Sequence, residues 1–344
     1  MLNSETIKKF ILHQDPSIRN SAMEYFSSSF SEDTEILNLV LDKYSSLNDK
    51  ERLQLLNNTE NLKLDIVSLN KILSYFPNAS IMLKCIFEEL LCNADLSLLK
   101  QVDINSLKLS PDARISINNK IMHSAMPTEA LVEALSKWCL HAADNYIEGF
   151  DYRLGNLIVS ELALRDNLND NSIIEALTKT EPEKFSLYES YLFKLGGKRK
   201  MAALIPVLIR CLSLEYLIAD AAQSALVRIG TREVVNAIAN TYHFGNDNFK
   251  KCAIRVLENI KIPQSVNAIS RLRQEETNSV LRTILTGALC KHGDLDALGQ
   301  LLELIETGSE LELSNLDEYI YINCLFNDEI ISKIPFLKIP MDRE

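Results

Sequence analysis

Glycine and proline are scarce in this chain, ten and nine residues among 344. Few chain-reversing positions and few helix breakers favour helix joined by short turns. No segment keeps the apolar–polar alternation of a half-buried strand, which argues against a sheet-based fold. The seven cysteines, Cys85, Cys92, Cys139, Cys211, Cys252, Cys290 and Cys324, are odd in number and have no C-x-x-C spacing. That argues against a disulfide framework or a zinc site and predicts free thiols in a reducing cytoplasm. Cys85 and Cys92 are seven apart and would share a helix face, where thiols are mostly buried. Long apolar runs are missing too: the most apolar stretch, 202–212, is too short to span a bilayer and carries Arg210. The start, MLNSETIKKF, lacks the basic-then-apolar order of a signal peptide. A cytoplasmic protein without membrane contact is therefore expected.

Catalytic signatures are equally thin. The five histidines are His13, His123, His141, His243 and His292, and no His-Glu dipeptide exists. This rules against the H-E-x-x-H zinc hydrolases. Cys139 and His141, two residues apart, would diverge on a helix and make a poor nucleophile pair. Neither G-x-G-x-x-G nor a Walker-type phosphate loop is present. The pairs Glu88-Glu89 and Glu275-Glu276 read as solvated helix faces. No catalytic residue, metal or cofactor is expected.

The formal charge of −11 is unevenly spread. Residues 1–189 carry a net −10, residues 190–300 a net +6 and residues 301–344 a net −7. A basic island sits inside an acidic protein, which bears on partners rather than on fold.

That island coincides with a repeat. Leu162, Leu192, Leu226, Leu257 and Leu289 recur at intervals of 30, 34, 31 and 32. With each leucine as position zero, position −8 holds Ile218, Phe249 and Leu281, and position −4 holds Ala222, Ala253 and Leu285. Position +3 holds Ile229, Ile260 and His292. At about 100° per residue these positions share one helix face. His292 at an apolar position reads as a packed core or cap residue. Turns follow, with Gly196, Gly230 and Gly293 as helix-ending signals. A second apolar register comes 12 residues after the leucine, at Ile174, Ile238, Ile269 and Leu301, so each unit holds a second, antiparallel helix. The N-terminus repeats this grammar once: Asp15-Pro16 leads into Ile18, Ala22 and Phe26 at the same spacing. A period of this length defines stacked helix pairs.

On these residues the chain resembles HEAT-repeat proteins. The matching stretches are Asp15-Pro16-x-Ile18-Arg19-x-x-Ala22, Ala225-Leu226-x-x-Ile229-Gly230-Thr231-x-Glu233-Val234-Val235, and Leu281-Arg282 leading to Ala288-Leu289. The resemblance covers roughly 185–305 and 1–30, and it is to bacterial members without a single assigned activity. It implies an all-α fold, a curved right-handed α-α superhelix of antiparallel helix pairs. It transfers no catalytic residue. HEAT-based di-iron hydroxylases bind their metals through His-Glu pairs, which are missing here. The expected organisation is one solenoid over 1–344, with irregular repeats in 1–160, regular repeats in 161–308 and a cap in 309–344 that covers the last apolar face. Within the first part Pro77, Pro111 and Pro127 mark helix starts, and 144–151 reads as a bend.

Such a fold works by offering surface. Positions −6, −2 and +2 lie opposite the buried face. They place Lys194, Arg228, Lys251, Arg255 and Lys291 in a basic stripe, and the HEAT resemblance implies that this face is concave. The alternative is an ordinary solvated face. The turn Gly196-Gly197-Lys198-Arg199-Lys200 is a candidate anion site, if its amides open the helix that follows. It reads equally as an inter-repeat turn with solvating charge. Three functions fit: a non-enzymatic scaffold or adaptor that grips an acidic protein segment, a dedicated inhibitor or immunity-type protein for one enzyme or toxin, and a nucleic-acid-binding protein of the DNA-glycosylase kind. The last is disfavoured because the single tryptophan, Trp138, lies outside the basic region and reads as a core anchor.

Overall fold

The computed structural model of the chain describes residues 4–56, 58–104, 107–144, 152–214 and 216–306. The expected bend beyond Asp144 and the expected cap over 309–344 lie outside these residues. The described residues are all-α, without a strand. The N-terminal helices are α1 (Ser4–Lys8), α2 (Pro16–Ser28), α3 (Glu35–Tyr44), α4 (Asp49–Leu56), α5 (Ile66–Tyr75), α6 (Ile81–Asn93), α7 (Leu96–Leu99), α8 (Pro111–Ala125) and α9 (Thr128–Asp144). They continue with α10 (Tyr152–Ala163), α11 (Asp170–Lys179), α12 (Leu187–Lys198), α13 (Ile205–Cys211), α14 (Tyr216–Ile229) and α15 (Arg232–Thr241). The last are α16 (Asp247–Asn259), α17 (Pro263–Glu275), α18 (Ser279–Lys291) and α19 (Leu295–Glu306). None is long and apolar enough to cross a membrane.

Local chemistry sets many of the boundaries. Ser186 and Glu189 form a reciprocal capping box at the start of α12, and Asp65 and Ser68 do the same for α5. Ser110 caps α8 through the Ala113 amide, with Pro111 in the first turn where no amide is needed. Asn246 and Asn278 cap α16 and α18 by accepting from first-turn amides. Gly230 (φ 61°) and Gly293 (φ 86°) supply the left-handed residue after α14 and at the end of α18.

Helices two apart in sequence pack side by side. The even-numbered ones form an unbroken row from α2 to α18, and α13, α15 and α17 form a second row. The predicted register is the buried one: Leu226 and Leu257 are 0% exposed and Leu289 1%. Positions −8, −4 and +3 of those three helices are buried with them. Buried side chains form one large cluster over 7–107 and another over 131–301, with Cys92, Ala113 and Ile117 between. Phe30, in the loop after α2, packs against the second cluster, so the N-terminal loop reaches the C-terminal repeats.

Within the even row α12 and α14 approach closely at Gly197. A Cβ on Gly197 would stand 2.7 Å from the Ala225 Cα, a backbone atom that cannot swing away. Gly197→Ala is therefore expected to destabilise by about 1–3 kcal/mol, the cost of overpacking. Urea unfolding measures it. A change under about 0.5 kcal/mol would show that the two helices do not meet this closely.

Candidate functional site

The five cations of the expected stripe do not share one environment. Lys251 and Arg255 are exposed, one turn apart on α16, and make no ion pair among the described residues. Lys194 is half-buried: its ammonium lies 3.1 Å from Asn156 Oδ1 and 4.6 Å from the Tyr191 ring centre. Burial, then the neighbouring Arg228, holds its pKa below the usual lysine value. Arg228 is half-buried too, with its guanidinium 3.7 Å from the centre of the Phe30 ring. Lys291 departs from the expectation. It is buried and stands 3.3 Å from the Glu258 carboxylate, because α16 turns Glu258 toward the end of α18. Lys291 is thus spent inside the protein.

The Gly196–Lys200 turn also differs from its sequence reading. Gly196 and Gly197 lie in the last turn of α12, not beyond it. The amides that follow are used up closing the helix: Arg199 donates to the Leu195 carbonyl, Lys200 to Gly197 and Met201 to Gly196. This is a helix C-terminus, so carbonyls face the turn and no free amide nest exists. Arg199 binds Asp170 through two hydrogen bonds of 2.8 and 3.1 Å and donates to the Ala163 and Arg165 carbonyls at the end of α10.

Arg199 belongs to a recurring arrangement. Lys120 donates to the Cys92 and Ala94 carbonyls at the end of α6, and Arg165 to His123 and Ser124 at the end of α8. His292 donates to the Leu257 carbonyl in α16. Each donor reaches carbonyls near the end of the helix before it in the even row, and for Lys120, Arg165 and Arg199 the helix dipole favours the positive charge. Burial pushes His292 down to about 3, so it serves there as a neutral imidazole.

Arg228, at the end of α14, stands apart from this arrangement and stacks on Phe30 instead. Around it opens a cleft of about 240 Å³ where the loop after α2 meets the ends of α12, α14 and α16. Four cations line it, Lys198, Lys200, Arg228 and Lys261, against one carboxylate, Glu32. Glu32 is already engaged by Lys63 at 2.8 Å, which holds its pKa below the usual value, with Lys200 and Arg228 contributing. Lys261 lies 4.6 Å from the Tyr25 ring centre and donates to the Glu258 carbonyl. Lys198 is exposed and lines the cleft beside Arg228. Partial desolvation first, then Arg228 and Lys120, pull it down to about 8 against the opposing pull of Asp95 and Glu32. Burial also lowers Arg228, to about 10, and it stays charged at neutral pH.

Backbone strain collects at the same place. Among the described residues the non-glycine residues with positive φ are Phe30 (50°) and Lys200 (54°), and both line the cleft. Each ends its helix in the left-handed position that glycine fills at about 1–2 kcal/mol less cost. The Asn259 Oδ1, also in the lining residues, is buried without a hydrogen-bond partner.

Sequence reasoning brought Lys198, Lys200 and Arg228 forward but missed Phe30, Glu32, Asn259 as a lining residue, and Lys261. Lys261 carried a signal: it follows the buried +3 residue of its repeat, where a helix-end cation belongs. Phe30 carried none, because its partner lies in another part of the chain. Among the described residues no group of three His, Cys, Asp or Glu side chains could hold a metal ion.

No family model matches the chain, and no curated protein shows significant similarity to it. Among solved structures, a crystal structure of an engineered protein aligns over 95% of this chain and 99% of its own, at 13% identity and a TM-score of 0.29. That likeness is too low to carry an argument about either fold or function.

Proposed function

We propose that the chain is a non-enzymatic cytoplasmic scaffold: a HEAT-like right-handed superhelix whose inner face grips an acidic segment of a partner protein. The observation that carries this reading is the exposed pair Lys251 and Arg255 on α16, a member of the unbroken even-numbered helix row with a neighbour on each side. A row of stacked helices offers extended surface. Two exposed cations one turn apart, without internal partners, give that surface a sign. On the same side, Asn259 of α16 and Arg228 of α14 lead into the cleft, which supports taking this side as the inner one. Charge of this kind steers an acidic partner and fixes its register more than it adds affinity.

The reading is tested with the variant K251E/R255E. Both side chains are exposed, so the fold and its circular dichroism should be unchanged. Binding to a partner captured by the wild-type protein is expected to weaken about tenfold or more, because two attractive contacts become repulsive. Unchanged binding by the folded double variant would remove this face as the binding surface.

A further inference from the structure

The cleft around Arg228 has properties that packing does not require. Its four lining cations face one carboxylate, and that carboxylate already has Lys63. Arg199, between Lys198 and Lys200, is consumed by Asp170 and the end of α10, but neither flanking lysine nor Arg228 makes an ion pair or hydrogen bond through its side chain among the described residues. Like charges gathered in one cleft repel each other, and an anion placed between them relieves that repulsion. The Arg228 guanidinium carbon stands 3.7 Å over the centre of the Phe30 ring, and a guanidinium can pair with two oxygens of an anion. Phe30 and Lys200 are both kept in the left-handed region. Strain of this kind collects where a site must be shaped rather than merely closed.

We propose that this cleft binds a compact phosphate-class anion, held by Lys198, Lys200 and Arg228 beneath the loop that carries Phe30. Its volume, about 240 Å³, lies below that of pockets for drug-sized ligands, which suits one or two phosphoryl groups. The Asn259 Oδ1 is closed to solvent and lacks a hydrogen-bond partner, so a small turn of this lining side chain into the cleft would let it accept from a ligand hydroxyl, which favours a phosphate ester over the bare ion. The site does not depend on the scaffold reading. Lys251 and Arg255 are absent from its lining, so the two ideas can fail separately.

The test is isothermal titration at low salt with pyrophosphate, orthophosphate and glycerol phosphate, with sodium chloride at matched ionic strength as the blank. Saturable single-site binding of a phosphate compound is expected, with none to chloride. Loss of one charge-assisted contact in Lys200→Gly or Arg228→Gln should weaken it about tenfold or more. Lys200→Gly is the decisive variant. Glycine is at ease at φ 54°, so its Tm should hold or rise while binding falls. At about 0.15 M salt, where screening limits the reach of the reversed charges, K251E/R255E should still bind the anion at one saturable site. Tighter binding of glycerol phosphate than of orthophosphate, erased by Asn259→Leu, would assign an ester, and equal binding the inorganic ion. Absence of saturable heat, or unaltered affinity in both Lys200→Gly and Arg228→Gln, overturns the proposal.

Discussion

Lys291→Met is expected to destabilise the protein by about 3–5 kcal/mol, far more than the loss of a surface lysine. The Lys291 and Glu258 side chains are 7% and 6% exposed and 3.3 Å apart. One Glu258 oxygen, Oε2, already lacks a hydrogen-bond partner. Taking away the ammonium leaves a carboxylate buried without its nearest counter-charge, and desolvation then goes uncompensated. The double variant K291M/E258L should recover most of the loss, because the two apolar side chains fill the space without a charge to bury. Urea unfolding of the wild type, both single variants and the double one closes the cycle. A coupling of about 2–3 kcal/mol is expected between residues in direct contact. A single-variant cost under about 0.5 kcal/mol would mean that the pair is not buried in solution.

Lys291 also shows how far a sequence can be read here. Its own helix places it at a polar position, and by that rule it belongs with Lys251 and Arg255. The rule describes one helix at a time. It cannot say what the neighbouring repeat lays over that position, and α16 lays Glu258 there. The buried face was legible because its pattern is local: Leu226, Leu257 and Leu289, with their partners at −8, −4 and +3, are all in the core. The same holds for His292, buried and hydrogen-bonded to the Leu257 carbonyl, while Trp138 is half-buried and packs edge-to-face on Tyr191 at the margin of the core. Gly196-Gly197 misled for a physical reason. Paired glycines usually announce a helix end, but here Gly197 lacks a side chain because Ala225 of α14 needs the space. The helix runs on, and Lys200 takes the left-handed cap. The cleft was the least legible feature. Lys198, Lys200 and Arg228 stood out as cations, but only a contact between Phe30 and a repeat in the other half of the chain turns them into a site. No periodicity encodes that contact.

Leu257→Ala should cost about 2–5 kcal/mol, the transfer term plus the cavity that the surrounding helices cannot close. Leu257 is 0% exposed, in the last turn of α16, which packs against α14 on one side and α18 on the other. How the loss spreads is more informative than its size. In a row of helix pairs each unit is stabilised by its neighbours, so weakening one unit weakens the interfaces on both sides. Hydrogen exchange is therefore expected to speed up in α14 and α18 as well as in α16, and less in α3 and α5, which belong to the other core cluster. Exchange that quickens uniformly over every helix would indicate a single cooperative unit that includes the N-terminal cluster, tied in through the Phe30 contact. Exchange that quickens in α16 alone would contradict the stacked interfaces and with them the leucine register from which the fold was inferred.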